Sequence, residues 1–536
     1  MSFSSIRLLG LALCLILISC QGVKEKSPNI AYYNIGGEPS TLNPMAAVDA
    51  YSAALHGYMF ESLLSRHADT YEFEPGLASS WEISKDNKRY TFKLKEGLKW
   101  SDGTPLTVED VKFSYDVIYT DAFKAVQLRS YFDSIKEVNI IDSKTVEFIV
   151  KDDYFRNFDI CAGLSILPKH FYGDSENKKF FNKKIIASGP YVLDKYDRGQ
   201  KITLEKNSLW WGNTDTTQKD VNQIKKIILR FSAEENVSLE LLKRGDLDFL
   251  GLRPDGFVKK TVGEVWDKKI IKVKTQNKTP KGYNYIAFNL THPMFKDREV
   301  RKALSMLFNR KLIQEKFEYN LTDAATGPIY TQSDYADKTA KPVEFNPEKA
   351  LKILQANGWS DSNQDGVLDK KINGKKVSLR FTIMDPSPEM VKYLTIFKED
   401  AQKVGVDVLI KPIEWNSFIK LLDERNFDAV RLAWGGGSVD IDLKQVWHSS
   451  SIPNGGSNFI SYSNPEVDKL IEESRRILDK NKRMVLLQKA HRLIAEDYPY
   501  IFFTNSVYTL YAHTKRVVKP KDTFNYSIGQ EYWVMK

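Results

Sequence analysis

The sequence predicts an α/β chain of more than one lobe, on three observations. Short β-branched and aromatic runs alternate with amphipathic segments along most of its length, the pattern of strands interleaved with helices. About 516 of the 536 residues follow Cys20, well beyond the ~250–300 at which one hydrophobic core stops growing. Neither an internal repeat nor a long low-complexity linker interrupts the alternation. With 42% hydrophobic and 12% aromatic residues, the chain can bury sizeable cores, and composition excludes a disordered protein.

Ser80 to Asp116 shows how the elements follow from residues. Tyr90, Phe92 and Leu94 alternate with Thr91, Lys93 and Lys95, the period-2 signal of a half-buried strand. Ser101-Asp102-Gly103 supplies turn chemistry, and Pro105 has no N–H to give a ladder. Thr107-Val-Glu-Asp110 reads as a capping box opening a helix that carries Val111, Phe113 and Val117. Further strands are expected at Val146–Val150, Ile202–Lys206, Ile224–Phe231, Val377–Ile383 and Val406–Ile410. Helices are expected at Thr107–Tyr119, Asp297–Phe317, Pro388–Val404, Trp415–Glu424 and Glu466–Glu496. From Asn346-Pro347 to Gly358 an N-cap, a proline at the first helical position and a glycine stop delimit one more.

The amino terminus indicates where the protein works. Residues 6–18 form an apolar run too short for a bilayer span of about 20 residues. A small n-region with Arg7 leads into it and Ser19-Cys20 follows, which fits a secretory signal peptide over 1–19. Leu17-Ile18-Ser19-Cys20 resembles a bacterial lipobox, with Cys20 as the acylated first residue and 20–28 as a tether. Of three cysteines only Cys161 remains in the folded part, so no internal disulfide is possible. Its neighbours Ile160, Ala162, Leu164 and Ile166 predict a buried thiol. The net charge of +9, or +8 without Arg7, is spread over 78 basic and 69 acidic residues. No basic stripe interleaved with stacking aromatics is present, which argues against nucleic acid as a partner.

The wording of SWEISKDNKRYTFKLKEGLKWSDGTPLTVEDVKFSYD resembles the extracellular solute-binding proteins of ABC importers, specifically the large oligopeptide- and dipeptide-binding family (family 5). Further landmarks occur in the order of that family. They are Glu38-Pro39-Ser40-Thr41-Leu42-Asn43-Pro44, Ser188-Gly189-Pro190-Tyr191, Trp210-Trp211-Gly212, Asn284 to Asn289 and Val300 to Leu304. The resemblance implies a large type II periplasmic-binding-protein fold of two lobes with an additional inserted domain. It divides the chain into domain I (29–60, 189–281 and 505–536), inserted domain II (61–188) and the opposing lobe, domain III (282–504). Hinges are expected near 281 and 504.

A search for enzymatic machinery returns little. The seven histidines never form H-E-x-x-H. Gly435-Gly436-Gly437-Ser438 is neither a nucleophile elbow nor a phosphate loop, and no G-x-G-x-x-G follows a strand. Leu432 to Asp442 is the candidate binding segment: a strand ends at Trp434, and glycines including Gly436 let the backbone approach a ligand. In peptide-binding relatives the matching loop carries an Asp that pairs with the ligand's α-ammonium, and Asp440 falls at that place. The family's usual Asp-Pro is Asp440-Ile441 here, so Asp442 is a rival, and Asp440 as a turn cap is also open. Val48, Tyr51, Asn284 and Tyr285 are the candidates on the other walls, with Tyr51, Tyr285 and Trp434 equally readable as core aromatics.

These residues lead to the expectation of a lipid-anchored, monomeric receptor of the cell envelope, in the periplasm or at the surface. It captures a peptide ligand and hands it to an ABC permease. The same fold carrying nickel, haem, an oligosaccharide or an opine is the alternative, and an envelope hydrolase a remote one. No cofactor is expected beyond a possible structural calcium: Asp361, Asn363, Asp365 and Asp369 match the first half of a calcium loop. Its twelfth position is Ile372, where an EF-hand needs a bidentate Glu; a metal-free turn is the other reading.

Overall fold

The computed structural model describes residues 26–47, 49–453 and 455–536. The signal peptide and Cys20 therefore lie outside the described residues, as does Val48. Three sheets organise the chain. The first has seven strands, in the order Ile270–Thr275, Thr509–Thr514, Phe249–Gly251, Ile30–Asn34, Lys226–Arg230, Lys201–Lys206, Tyr191–Asp197. The second has six, in the order Thr322–Ala324, Tyr500–Ser506, Tyr283–Phe288, Ala429–Trp434, Arg380–Asp385, Asp407–Pro412. A four-stranded antiparallel sheet (Ala78–Ile83, Arg89–Leu94, Thr145–Val150, Ile135–Ile140) sits in the segment between the first strand and Tyr191.

The chain passes between the first two sheets twice, once between Thr275 and Tyr283 and once between Ser506 and Thr509. Each sheet is therefore the floor of one lobe, and the two lobes share only these short crossings. In the first lobe, Ile30–Asn34 pairs in parallel with Lys226–Arg230 and with Phe249–Gly251. In the second, Arg380–Asp385 pairs in parallel with Asp407–Pro412 and Ala429–Trp434. Parallel strands put all their carboxyl ends on one edge, and in α/β sheets that edge is where ligands bind.

A buried carboxylate ties the distant segments of the first lobe together. Asp248 is fully buried; it receives Nη1 of Arg516 on both oxygens at 2.9 Å, the Tyr32 amide at 3.1 Å and Thr514 Oγ1 at 3.0 Å. Burial pushes its pKa up, and Arg516 opposes that.

The signature segment is structural. Trp100 is fully buried, and its Nε1 donates to Asp110 Oδ2 at 3.2 Å. Asp110 also accepts from the Thr107 amide at 2.8 Å and, through Oδ1, from the Lys169 amide at 2.8 Å. The capping carboxylate thus joins turn, helix Val108–Asp116 and helix Lys169–Tyr172 in one network. Cys161 is buried, as its apolar neighbours suggest, and burial raises its thiol pKa.

Three expected elements are divided. Asp297–Phe317 is two helices, Arg298–Met306 and Arg310–Lys316, because the Asn309 side chain accepts from the Leu312 amide and opens a new helix. Glu466–Glu496 divides in the same way at Asp479, which accepts from the Lys482 amide. Val377–Ile383 spans two strands: Lys375–Ser378 pairs with Asp369–Ile372 in an outer hairpin, and Arg380–Asp385 lies in the sheet. Capping side chains restart a helix without altering its apolar period, so periodicity alone runs through the break.

The half calcium loop folds as a self-capped turn. Asp361 accepts from the Asp365 amide at 3.1 Å and the Gly366 amide at 2.9 Å, and Asp365 accepts from Val367 at 2.9 Å and from Asn363 Nδ2 at 3.0 Å. Asp369 is taken by Ser362 and by Lys376, 3.1 Å away. A cation bound there would compete with Lys376 for Asp369. Among the described residues, no three His, Cys, Asp or Glu side chains gather as metal ligands. The loop is an Asx-rich turn in which Asp361 and Asp365 accept from backbone N–H groups.

Two predictions follow from these contacts. Asp248→Ala leaves the Arg516 guanidinium without its partner and costs about 3 kcal/mol, read as a lower urea midpoint with an unchanged m-value. Asp361→Ala lowers the melting temperature through loss of a capping acceptor worth about 1 kcal/mol. The drop is expected to be the same with and without millimolar Ca²⁺; a calcium-dependent rise in the wild type alone would restore the metal.

Candidate functional site

The carboxyl ends of the two parallel strand sets face each other, as the contacts between lobes show. Arg253, two residues past Gly251, donates Nη2 to Ser387 Oγ at 3.0 Å, and Ser387 lies two residues past Asp385. Asp255 pairs with Lys392 at 3.0 Å and Lys260 with Glu389 at 3.3 Å. Tyr51, on helix Ala50–Met59 of the first lobe, meets Trp415 of the second edge-on, with ring centroids 5.2 Å apart. Burial raises the Tyr51 hydroxyl's pKa, partly offset by Arg253. The cleft between the strand ends is thus bounded by Gly36, Gly37 and Tyr51 on one side. On the other side stand Asp385, Ser387, Trp415 and the turn after Trp434.

Within the second wall, charge is matched internally. Arg431 and Asp385 are both buried, and Arg431 donates Nε to Asp385 Oδ1 at 2.9 Å with Nη2 on the same oxygen. Burial lowers the Arg431 pKa and Asp385 opposes it. Tyr285 is fully buried and stacks on Tyr500 at 4.1 Å; Trp434 packs beside it with its centroid 6.3 Å away. Tyr285 is thereby a core aromatic, whereas Trp434 is half-buried at the end of its strand. Asn284 is half-buried, and its side chain donates to Thr504 Oγ1 at 3.4 Å within the same lobe.

The glycine run serves two ends. A Cβ on Gly436 would lie 1.8 Å from the Pro280 carbonyl oxygen, and one on Gly282 would lie 2.1 Å from that of Trp434. The close approach made by Gly436 is therefore to the crossing strand of the chain itself. Gly435 and Gly437 have open space around the Cβ position, and Gly437 holds a left-handed φ of 64°. These two leave the backbone accessible.

Asp440 and Asp442 both have partners within the chain. Asp440 accepts from Tyr335 Oη at 2.5 Å and from Arg483 Nη2 at 3.2 Å. Asp442 is fully buried; it pairs with Arg475, and Tyr154 Oη donates to it at 2.7 Å. Neither is an unpaired carboxylate in this structure: buried arginines neutralise both, and an unpaired buried charge is far costlier than a paired one. Asp361, Asn363, Asp365 and Asp369 take no part in these contacts.

The residues that the sequence reading missed are Arg253, Asp385, Ser387, Trp415, Arg431, Tyr154, Arg475 and Arg483. One signal was available: Arg431 interrupts the apolar run Ala429–Trp434, and a charge in a buried strand requires a partner.

Comparison with known proteins agrees with this geometry. The family described as "Bacterial extracellular solute-binding proteins, family 5 Middle" matches residues 72–454, more than half of the chain. The oligopeptide-binding protein AppA of Bacillus subtilis is 28% identical over 87% of this chain and 84% of its own length. The structure of AppA from Bacillus subtilis with a nonapeptide has a TM-score of 0.84 at 25% identity, covering 95% of this chain and 99% of that one. NikZ from Campylobacter jejuni with Ni(L-His) shares the fold, with a TM-score of 0.78 at 23% identity over 95% and 100%. This chain belongs to the family 5 bacterial extracellular solute-binding proteins, which bind substrates and are not enzymes.

Proposed function

We propose that this protein captures peptides in the interlobe cleft and delivers them to an ABC permease, working as a monomer tethered to the membrane by lipid on Cys20. The observation that carries the peptide reading is the combination of aromatic walls, Tyr51, Trp415 and Trp434, with accessible backbone at Gly435 and Gly437. An extended peptide offers N–H and C=O groups at fixed spacing, so backbone pairing holds it whatever its side chains. Bridging waters in the remaining space satisfy side chains of varied polarity nearly as well as direct bonds. The oligopeptide-binding name of the Bacillus relative supports the same ligand class. Closure of the two lobes about their crossings then presents a defined surface to the permease.

Native mass spectrometry of the purified protein tests the ligand class. The expected result is a family of bound masses that fragment as peptides after denaturation; a metal complex, a glycan or an opine released instead would reassign the solute. Fractionation tests the anchor. Cys20→Ala is expected to move the protein from the membrane fraction to the soluble one, since the multiple acyl chains of a lipoprotein bind firmly. Membrane association that survives the substitution would remove the lipid from this reading.

A further inference from the structure

The two acidic residues past the Trp434 turn sit where the second lobe meets the segment that carries the four-stranded sheet. Tyr154 Oη donates to Asp442 Oδ2 at 2.7 Å, and the Arg475 guanidinium that pairs with Asp442 lies over the Tyr154 ring, 3.9 Å from its centroid. Arg475 also donates Nη2 to the Ser130 carbonyl at 2.7 Å, and its own carbonyl accepts from the Phe155 amide at 2.9 Å. Arg483, the partner of Asp440, lies 3.9 Å over the Phe155 ring. Around them Tyr131 Oη donates to Gln445 at 2.5 Å, and Lys444 pairs with Asp133 at 3.3 Å. Arg156 adds a further positive charge to the surroundings of Asp442.

We infer that Asp440 and Asp442 form a clasp that holds the inserted segment 130–133 and 154–156 against the second lobe, and that the ligand's amino terminus is left unclamped. The inference rests on the peptide reading of the cleft for its second half only. Asp442 has 1% of its side chain exposed and is enclosed by Arg475 and Tyr154. An ammonium at the 39% exposed Asp440 would share its carboxylate with Arg483, whose own side chain is only 4% exposed. A second cation on a neutralised carboxylate gains little, and it repels the first. Other acids at the lobe contacts also face cations: Asp385 faces Arg431 through Oδ1, its buried Oδ2 making no hydrogen bond, Asp255 faces Lys392 and Glu389 faces Lys260. The turn that remains open, Gly435 and Gly437, carries no charge. The clasp therefore makes this receptor indifferent to whether a peptide's amino group is free.

The test is a competition. A mixed-sequence nonapeptide library, half free and half N-acetylated, is offered to the protein, and the bound fraction is read by native mass spectrometry. The wild type is expected to retain both forms within about threefold, where an ammonium–carboxylate clamp would favour the free form by roughly 30-fold or more. Tyr154→Phe keeps the ring and removes one hydrogen bond to a charged acceptor. It is expected to weaken both forms by the same factor, roughly tenfold, by lowering the closed population. Hydrogen exchange gives the second readout: the Phe155 amide should exchange faster in Tyr154→Phe and in Asp442→Asn, with or without peptide. A 30-fold preference for free peptides overturns the unclamped terminus. Unchanged exchange at Phe155 in both variants overturns the clasp. Capture of neither peptide form, with faster exchange at Phe155, leaves the clasp standing and defeats the peptide reading instead.

Discussion

The two crossings between the lobes are the constraint on which the rest depends. Asn505, fully buried in the second crossing's strand, donates Nδ2 to the Gly282 carbonyl in the first at 2.9 Å. Lys281 spans the same gap, with Nζ on Asn277 at 3.1 Å and on Thr509 at 3.2 Å, and burial lowers its pKa. Because Gly282 and Gly436 lack side chains, the first crossing runs directly against the turn after Trp434. Movement at the crossing is thus transmitted to that turn and to the acids beyond it. Backbone packed this closely has no slack to absorb a shift locally.

From that constraint the electrostatics of the cleft follow. Each lobe brings charged side chains to the edge where its parallel strands end, and closure removes them from water. A single buried charge is expensive, whereas a hydrogen-bonded pair is close to neutral in cost. The structure accordingly meets these carboxylates with a cation or a hydroxyl, within a lobe for Asp385 and between lobes for Asp255, Glu389 and Asp442. Pairs between lobes form only when the lobes meet, so they contribute to closure. Pairs within a lobe hold the walls in place whatever the lobes do.

The division of what could be read from sequence follows the range of the interactions. Local signals carried through: the Tyr90–Leu94 alternation, the Thr107–Asp110 cap, and the Asn346-Pro347 start with its Gly358 stop all appear as read. Asn309 and Asp479 broke long helices because a cap leaves the apolar period intact. The glycine run was seen, but its reason, the Pro280 carbonyl, lies more than 150 residues away in sequence and leaves no mark near Gly436. The same holds for the acids. An Asp on a loop after a strand looks identical whether it awaits a ligand or an arginine from a helix further along the chain. Only the fold places Arg475 and Arg483 beside Asp442 and Asp440.

Breadth of ligands and firmness of closure are usually in tension, since a receptor that closes on specific side chains rejects the others. Here the two are separated in space. The contacts at Tyr154, Ser130, Phe155 and Asp133 supply free energy for closure from the chain's own residues, and none of them touches the glycine turn. A ligand shifts the equilibrium only by the difference in its affinity for the open and closed forms. On the peptide reading proposed above, a clasp that brings those forms near balance would leave only a small difference to supply, and backbone contacts common to all peptides would suffice. Closure would then be poorly coupled to ligand identity, so discrimination would rest on which side chains the walls at Tyr51, Trp415 and Trp434 exclude.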